Sequence, residues 1–360
     1  MDRIRGWLQL LNAPGVGNAT AVKLAKKYGE PHKFIGSLPQ NISESELSLK
    51  AQEYLSYPDI QEKWERSFEL IEQYKIKFIT YLDDDYPQLL RNIYDPPAFL
   101  FYRGKLESEH LRRTIAIVGT RKASNYGLQM TARFGKQLAE AGFTIISGLA
   151  FGVDTKAHQA ALITGKKTYA VMGTGVDQIY PAQNRSLAEE ICSNGALISE
   201  YLPGTKADPW NFPNRNRIIS GLSLGSLVIE GSKKSGAMLT AKFAMQQNRE
   251  VFALPGDINR QQAEGPNYLI SLGAKIITNV QDVLDEFNLV MPETHIKFPH
   301  LNEMERKIYD VLVANRPDMQ FDLLLIKTGF SVGELSSLLL SMELKDVVKR
   351  LPGNKIMALS

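Results

Sequence analysis

The sequence predicts an α/β protein whose core is an extended Rossmann-like parallel sheet with helices on both faces. Between residues 111 and 290, short apolar runs bounded by Gly or Pro alternate with helix-length segments, and Gly-rich turns open several of those segments. Parallel strands that are buried on both faces and joined by crossover helices produce this pattern. We expect a small helical N-terminal domain and a C-terminal winged-helix domain to flank the sheet.

Length and composition restrict the class of protein. The 360 residues exceed one average domain, and 44% hydrophobic with 22% charged residues is ordinary for a globular protein. The lone cysteine, Cys192, excludes an internal disulfide and predicts a cytoplasmic protein. One cysteine and five histidines predict no structural zinc site, and we expect no cofactor. We also expect no signal peptide and no membrane insertion, because no apolar run reaches spanning length.

Each predicted strand coincides with one apolar run. The strands of the parallel sheet are predicted at 115–118, 144–146, 169–172, 197–199, 227–229, 251–254 and 275–278. Two earlier strands, at 77–81 and 99–102, are separated by turn residues and are expected to dock on that sheet.

The chain is predicted to divide into a helical domain over 1–75, an extended Rossmann-fold domain over 76–290, a linker over 291–299 and a winged-helix-like domain over 300–360. In the first part, a Pro-Gly-x-Gly turn within 12–20 separates two helical patterns. Such a turn resembles the helix-hairpin-helix element, in which backbone amides hold a DNA phosphate. A plain turn between two helices is the alternative.

The C-terminal part is predicted to be a winged helix. Helical spacing over 303–314, 322–328 and 331–342 precedes two short strands, with Pro352-Gly-Asn at their turn. This part has equal numbers of basic and acidic residues, whereas residues 111–136 contain Arg and Lys but no Asp or Glu. The positive field therefore lies near the first central strand. Because the winged helix has no net charge, we do not expect it to bind DNA tightly and expect it to interact with a protein instead.

Val118-Gly-Thr-Arg121 follows the first strand of the parallel sheet. Gly119 frees the backbone, and Arg121 is expected to extend over the sheet edge, where it can bind a phosphate or stack on a base. A surface ion pair is the alternative for Arg121. After the second strand, Ser147 and Gly148 are predicted to form an anion-binding nest. A bulky cation stands where a dinucleotide fingerprint needs Gly, which disfavours NAD.

A further phosphate cradle is predicted where Ser235, Gly236 and Thr240 begin a helix. The segment has P-loop spacing but lacks the P-loop Lys and the magnesium-binding hydroxyl, so ATP hydrolysis is not expected. Asp154 is predicted to be a helix cap or a structural acceptor rather than a catalytic acid. No acid–base pair accompanies these loops.

Phe212, Arg215 and Arg217 lie close together at the start of a predicted helix. Cations that follow a backbone and a ring that stacks on a base are the usual means of binding single-stranded nucleic acid. The alternative is that Phe212 belongs to the core and that one arginine forms an internal ion pair. We expect at least one of the three to be structural.

In their order over residues 114–280, these motifs resemble those of the bacterial DNA-processing protein A family, also called Smf. They are Val-Gly-Thr-Arg, Ser-Gly-Leu-Ala-x-Gly-Val-Asp, Val-Met-Gly-Thr-Gly-Val-Asp-x-x-Tyr-Pro, Ser-Glu-Tyr-x-Pro-Gly, Phe-Pro-x-Arg-Asn-Arg-Ile-Ile-Ser-Gly-Leu-Ser, Ser-Gly-Ala-Met-Leu-Thr-Ala and a final Leu-Pro-Gly. Each fragment alone is a weak match, whereas their joint order is specific.

The resemblance implies a protein that binds single-stranded DNA and catalyses no reaction. It further implies protection of incoming DNA, displacement of single-strand-binding protein, loading of RecA recombinase during natural transformation, and homodimerisation through the Rossmann domain. By position, the phosphate pocket would comprise Gly119, Arg121, Ser147, Gly148, Ser235, Gly236 and Thr240, with Phe212, Arg215, Arg217 and Lys242 nearby.

Two other classes of function stay open. Nucleotide phosphoribohydrolases of the lysine-decarboxylase-like Rossmann group carry a Pro-Gly-Gly-x-Gly-Thr-x-x-Glu motif. Here the corresponding segment begins at Glu230 and has no acid after its Gly turn, so this enzyme is the less favoured alternative. A protein scaffold is the third interpretation, and it would not bind DNA at low salt.

Overall fold

The computed structural model describes residues 2–40, 42–57, 64–289, 301–315, 318–345 and 347–358. The chain forms two compact units, Met1–Pro292 and Glu293–Ser360. The predicted helical and Rossmann-fold domains thus share the first unit, and the division between them at residue 75 stays a prediction. The predicted linker over 291–299 lies outside the described residues.

The first unit alternates helices and strands. Its helices are α1 (Asp2–Asn12), α2 (Asn18–Tyr28), α3 (Leu49–Ser56), α4 (Glu65–Gln73), α5 (Gln88–Arg91), α6 (Asn125–Glu140), α7 (Val153–Ile163), α8 (Arg185–Asn194), α9 (Asn211–Gly221), α10 (Gly236–Gln246), α11 (Glu264–Ser271) and α12 (Gln281–Glu286). Its strands are β1 (Lys77–Thr80), β2 (Phe99–Gly104), β3 (Thr114–Val118), β4 (Thr144–Ser147), β5 (Thr168–Val171), β6 (Ala196–Ser199), β7 (Gly225–Val228), β8 (Glu250–Ala253) and β9 (Lys275–Ile276).

These strands form one sheet in the order β1-β2-β6-β5-β4-β3-β7-β8-β9. The pairs from β6 to β9 are parallel, whereas β1 and β2 are antiparallel and extend the edge at β6. The predicted α/β fold class is confirmed, with this mixed edge added. The strand order reverses at β3, since the chain first builds outward through β4 and later returns to β7. Such a reversal opens a crevice at the carboxyl ends of the strands.

The sheet separates two apolar layers because successive side chains of a strand point to opposite faces. On β3, Ile115 and Ile117 belong to one buried cluster, and Ala116 and Val118 belong to the other. The second of these clusters continues into the N-terminal helices, where it includes Trp7. The central strands are therefore buried on both faces, which fixes the positions of the loops at their ends.

The N-terminal helices α1 and α2 are joined by the short turn that the sequence predicts. Gly15 has a φ of +78°, a value that suits glycine, and Gly17 precedes the first turn of α2. The Asn18 side chain accepts a hydrogen bond of 2.9 Å from the backbone N–H of Ala98, beside β2. This bond ties the helical hairpin to the edge of the sheet.

The second unit has the helix and strand order of a winged helix. It contains α13 (Glu303–Ala314), β10 (Met319–Gln320), α14 (Phe321–Thr328), α15 (Val332–Leu344), β11 (Val348–Leu351) and β12 (Lys355–Ala358). Its strands pair in the order β10-β12-β11, and the predicted hairpin turns at Gly353 and Asn354, both with positive φ. Ile308, Leu335 and Leu339 are fully buried between the helices and the hairpin.

No single described helix is long and apolar enough to cross a membrane. The helices α14 and α15 meet the length and composition criteria only as a pair, and a bend of 108° separates them.

The central strand β3 allows a direct test of the packed core. Ile117 is fully buried, whereas Ile163 at the end of α7 is 78% exposed. Truncation of Ile117 to Ala leaves a cavity and should reduce the free energy of unfolding by about 2–5 kcal/mol. The matched Ile163→Ala change should stay within about 0.5 kcal/mol. Urea denaturation measures both values, and equal effects would contradict the described core.

Candidate nucleic-acid interface

A cleft of about 750 Å³ lies at the carboxyl ends of the central strands, where the strand order reverses. We name it the strand-end cleft, and its main groups belong to Gly119, Arg121, Phe212, Arg215, Ser235 and Thr240. Loops after β3 and β4 form one side, and the first turns of α9 and α10 form the other. The topology thus brings together groups that are more than 100 residues apart in sequence.

The loop after β3 is held close to the sheet and presents Arg121 to solvent. A Cβ at Gly119 would meet the Val153 side chain, so only glycine fits this approach. The Thr120 N–H donates to the Glu230 carbonyl at 2.7 Å. Arg121 is exposed, and no carboxylate pairs with it among the described residues. Its guanidinium is therefore available to an anion.

Glu230 fixes the rest of this loop from below. Its buried carboxylate accepts hydrogen bonds from the Ser124 N–H at 2.8 Å and from the Ser124 hydroxyl at 2.6 Å. The same hydroxyl caps α6 by accepting from the N–H of Gly127. Glu230 is thus a positioning residue for the segment that carries Arg121.

Arg215 is a buried cation at the base of the cleft, with 4% of its surface exposed. Its Nη1 donates to the carbonyl of Gly148 at 2.9 Å and to that of Val171, and its Nε donates to Asn216. No acceptor within the described ranges engages Nη2. Because the residue lines the cleft, Nη2 is the group left for a ligand.

The charge of Asp154 acts on this cation. Its Oδ2 accepts from the N–H groups of Gly148 and Ala150, at 3.1 and 3.4 Å. Burial raises the pKa of Asp154 to about 6, and the charge of Arg215 opposes that rise. Burial likewise lowers the pKa of Arg215 to about 10, against the attraction of Asp154. Asp154 is a structural acceptor, as the sequence predicted.

Aromatic rings form the wall of the cleft beside Arg121. The rings of Phe212 and Tyr180 lie 5.3 Å apart, and the guanidinium of Arg121 lies 5.7 Å from the Phe212 ring. Phe212 packs against Gly173, where a Cβ would lie 2.7 Å from the ring, and its other edge faces the cleft. A smaller cavity of about 100 Å³ adjoins these rings and is also lined by Phe151.

The first turn of α10 faces the cleft from the opposite side. Ser235 precedes the helix, and its hydroxyl is buried without a partner among the described residues. Gly236 has open space where a Cβ would stand, and the Asn216 amide donates to its carbonyl at 3.2 Å. Thr240 lines the cleft one turn later. The free N–H groups of a helix start suit a phosphate oxygen.

Four of the predicted DNA-contacting residues do not line the strand-end cleft, and their contact with DNA stays a prediction; one of them, Gly148, lines the smaller adjoining cavity. Ser147 is fully buried, and its hydroxyl donates to the carbonyl of Ile117 at 2.7 Å. Arg217 is 11% exposed and is paired with Glu200 at 2.5 Å and with Asp95 at 3.3 Å. Lys242 is exposed but is not among the cleft residues. Of Phe212, Arg215 and Arg217, at least one was expected to be structural, and Arg217 meets that expectation.

The structure adds residues that the sequence did not single out. Lys122 and Tyr180 line the cleft, and Phe151 lines the smaller cavity beside it. Both rings are more than two-fifths exposed. Each follows a strand that ends at the same sheet edge. For Phe151, the signal in the sequence was an aromatic residue soon after the buried strand β4.

The chemistry of the cleft is that of an anion and ring binder. Arg121, Lys122 and Arg215 supply positive charge, and Asp154 is the carboxylate among the described lining residues. No second carboxylate, histidine or cysteine accompanies Asp154 among the described residues that line the cleft. The cluster of Glu107, Glu109 and His110 that could hold a metal ion does not line this cleft.

The contact between Gly148 and Arg215 predicts a sensitive position. A Cβ at residue 148 would lie 2.5 Å from Nη2 of Arg215. Gly148→Ala should therefore destabilise the fold by about 1–3 kcal/mol, as overpacking does. Gly236→Ala is the matched control, because its Cβ meets no atom within 4 Å. Thermal unfolding of both variants tests this, and an unchanged midpoint for Gly148→Ala would contradict the geometry.

Comparison with known proteins gives consistent matches. The protein-family model for DNA recombination-mediator protein A matches residues 77–288, and the family model for the DprA winged helix domain matches residues 299–354. Protein Smf of Escherichia coli is 34% identical over 97% of this chain and 94% of its own length. Protein Smf of Synechocystis sp. is 45% identical over 60% of this chain, and the match spans 56% of that relative.

Solved structures agree with these matches. DNA processing protein A of Streptococcus pneumoniae is 34% identical, with a TM-score of 0.66 over 79% of this chain and 98% of its own. The protein of that name from Helicobacter pylori, studied for its single-stranded DNA binding mode, is 30% identical. Its TM-score is 0.54, and the match covers 60% of this chain and 96% of that one. The family resemblance of the motifs is confirmed: the chain belongs to the DNA recombination-mediator protein A family, known as DprA or Smf.

Proposed function

We propose that the strand-end cleft binds single-stranded DNA and that the protein acts as a recombination mediator without catalytic turnover. The observation that carries the proposal is the arrangement of Arg121, Phe212 and Arg215. A half-buried ring lies between an exposed and a buried guanidinium, 5.7 and 6.0 Å from them. Alternating cations and rings are how proteins bind single strands.

Phosphate binding is the first part of the proposal. Arg121 and Lys122 are exposed at one side of the cleft, and the start of α10 at Gly236 lies at the other. Arg215 adds a fixed charge at the base, since its guanidinium is already held by two carbonyls. Several phosphates can therefore be neutralised at once, which makes binding depend on salt.

Base stacking is the second part. The Phe212 and Tyr180 rings line the cleft, and stacking on a ring contributes about 1–3 kcal/mol per base. A base in a duplex is already stacked between its neighbours, so only an unpaired base gains from these rings. This preference supports a single strand as the ligand, as does the description of the Helicobacter pylori relative.

The absence of turnover is part of the same proposal. The carboxylate of Asp154 is buried and faces a cation and two N–H groups, which suits a structural role. The Glu230 carboxylate lies under the loop and accepts two hydrogen bonds from Ser124, which likewise suits a structural role. Incubation with AMP should release no adenine, and release at a turnover rate would favour the nucleotide phosphoribohydrolase.

Family membership supports a wider role for the same protein. We include in the proposal the protection of incoming DNA, displacement of single-strand-binding protein, and loading of RecA during transformation. We further propose that the protein is a cytoplasmic homodimer that assembles through the Rossmann-fold domain. The support for these partners is the relation to the family rather than any particular contact.

Replacement of Arg121 by Ala tests the phosphate contacts. One lost phosphate contact on a single strand should lower the slope of log affinity against log salt by about 0.7. The affinity for oligothymidylate at low salt should fall by about tenfold, because the side chain also lies over the Phe212 ring. Fluorescence anisotropy over a salt series measures both quantities.

Lys166→Ala is the control for this measurement. Lys166 is exposed in the loop before β5, at the opposite edge of the sheet from the cleft. Its removal should leave the slope and the affinity near the wild-type values. If Arg121→Ala gives the same result as Lys166→Ala, the assignment of the cleft is wrong.

The raised pKa of Asp154 predicts a pH dependence of binding. Its pKa in the folded protein, about 6, lies above the ordinary value of 3.8. The protonated carboxyl therefore stabilises the fold fully below pH 3.8, and this contribution is lost as the pH rises through about 6. Protonation also removes a negative charge beside Arg215. Oligothymidylate affinity should therefore rise several-fold as pH falls through about 6.

Asp154→Asn separates this group from others that titrate. The amide oxygen can still accept from Gly148, and the variant should bind with little change over the same pH range. His158 on the same helix is not a competing explanation, because burial lowers its pKa to about 3. An unaltered pH profile in Asp154→Asn would refute the assignment.

A further inference from the structure

A second cleft lies in the first unit, between α2 and the segment that joins β1 to β2. It encloses about 520 Å³. We name it the basic groove and define it by Lys23, Lys26, Lys27, Tyr81, Arg91 and Tyr94. None of these residues belongs to the strand-end cleft, and no described residue that lines the groove is acidic.

The charge of the groove comes mainly from α2. Lys23, Lys26 and Lys27 are three or four residues apart or adjacent, which places them on one face of the helix. Lys27 is paired with Glu46 at 2.8 Å. Neither Lys23 nor Lys26 has a carboxylate partner in the described part of the chain, and the Lys26 ammonium lies 4.7 Å from the Tyr81 ring. Two ammonium groups are thus available to an anion.

Arg91 forms the opposite side and is rigidly held. Its guanidinium donates to the carbonyls of Tyr81 at 2.8 Å and Asp83 at 2.6 Å and lies over the Tyr81 ring at 4.9 Å. These partners are carbonyls and a ring, so they do not neutralise its charge. The Asp83 carboxylate is bonded to Arg3 instead. The described side chains that line the groove therefore carry a net positive charge.

The basic groove also has an exposed ring and a contact with the helix that forms one side of the strand-end cleft. Tyr94 is 96% exposed at the groove. The next residue, Asp95, is paired with Arg217 of α9 at 3.3 Å. The first turns of α9 carry Phe212 and Arg215 in the strand-end cleft. Arg217 follows Phe212 by five residues, about 7.5 Å along the helix axis, so the segment that carries Tyr94 contacts the helix that forms one side of the strand-end cleft.

We propose that the basic groove is a second binding site for single-stranded nucleic acid. In this proposal, which rests on the proposed function, one strand occupies the strand-end cleft and continues into the groove. Lys23, Lys26 and Arg91 bind its phosphates, and the Tyr94 ring stacks on a base. Cations beside an exposed ring fit a single-stranded nucleic acid, because its phosphates pair with the cations while a base stacks on the ring.

Two strand lengths separate the two sites. An oligothymidylate of about 6 nucleotides should fill only the strand-end cleft, whereas one of about 25 should reach the groove as well. The full-length double variant Lys23→Gln/Lys26→Gln removes two charges from the groove. Lys33→Gln/Lys50→Gln is the matched control, since both lysines are exposed and lie outside the groove.

The expected result is specific to the long strand. The groove variant should bind the long strand about tenfold more weakly than the control does, with a salt slope lower by about 1.4. Its affinity for the short strand should equal that of the control. If the two variants bind the long strand equally, or if both strands weaken alike, the groove proposal is overturned.

The ring is tested by Tyr94→Ala, with Tyr57→Ala as the control at another exposed tyrosine. Loss of stacking should weaken the long strand roughly fivefold or more and leave the short strand unchanged. Equal long-strand affinities in the two tyrosine variants would remove stacking from the proposal. Failure of the wild-type protein to bind either strand would instead refute the proposed function and the groove together.

Discussion

The fold of the site depends on the buried guanidinium of Arg215. Its bonds to the carbonyls of Gly148 and Val171 join the ends of β4 and β5 to helix α9. Burial of an unpaired cation costs several kcal/mol, and here carbonyls and the Asp154 carboxylate offset that cost. The glycine at 148 follows from the same contact, because a side chain there would occupy the position of the guanidinium.

This fixed arrangement explains how the cleft can bind a flexible strand. The loop with Arg121 is held by Glu230, and Phe212 is packed on Gly173, so both are ordered before a ligand arrives. A site that is already ordered loses less conformational entropy on binding. The exposed Arg121 remains the group that can adjust to the position of a phosphate.

The sequence predicted the strands well, because buried parallel strands are continuous apolar runs between turn residues. It did not predict that β1 and β2 would pair antiparallel at the edge, nor the two-residue strand β10, which is too short to form a pattern.

In the site, Arg215 and Arg217 were grouped by proximity in sequence. Residues two positions apart on a helix are separated by about 200° around its axis, so Arg215 faces the cleft and Arg217 faces Glu200. The pairing of Tyr180 with Phe212 depends on strand order.

The most direct test of the account is the binding of a fluorescent oligothymidylate to the full chain over a salt series, with duplex DNA as competitor. Binding should be tight at low salt, should weaken steeply as salt rises, and should not be displaced by duplex. No binding at low salt, or displacement by duplex at equal concentration, would contradict the assignment of the cleft to a single strand.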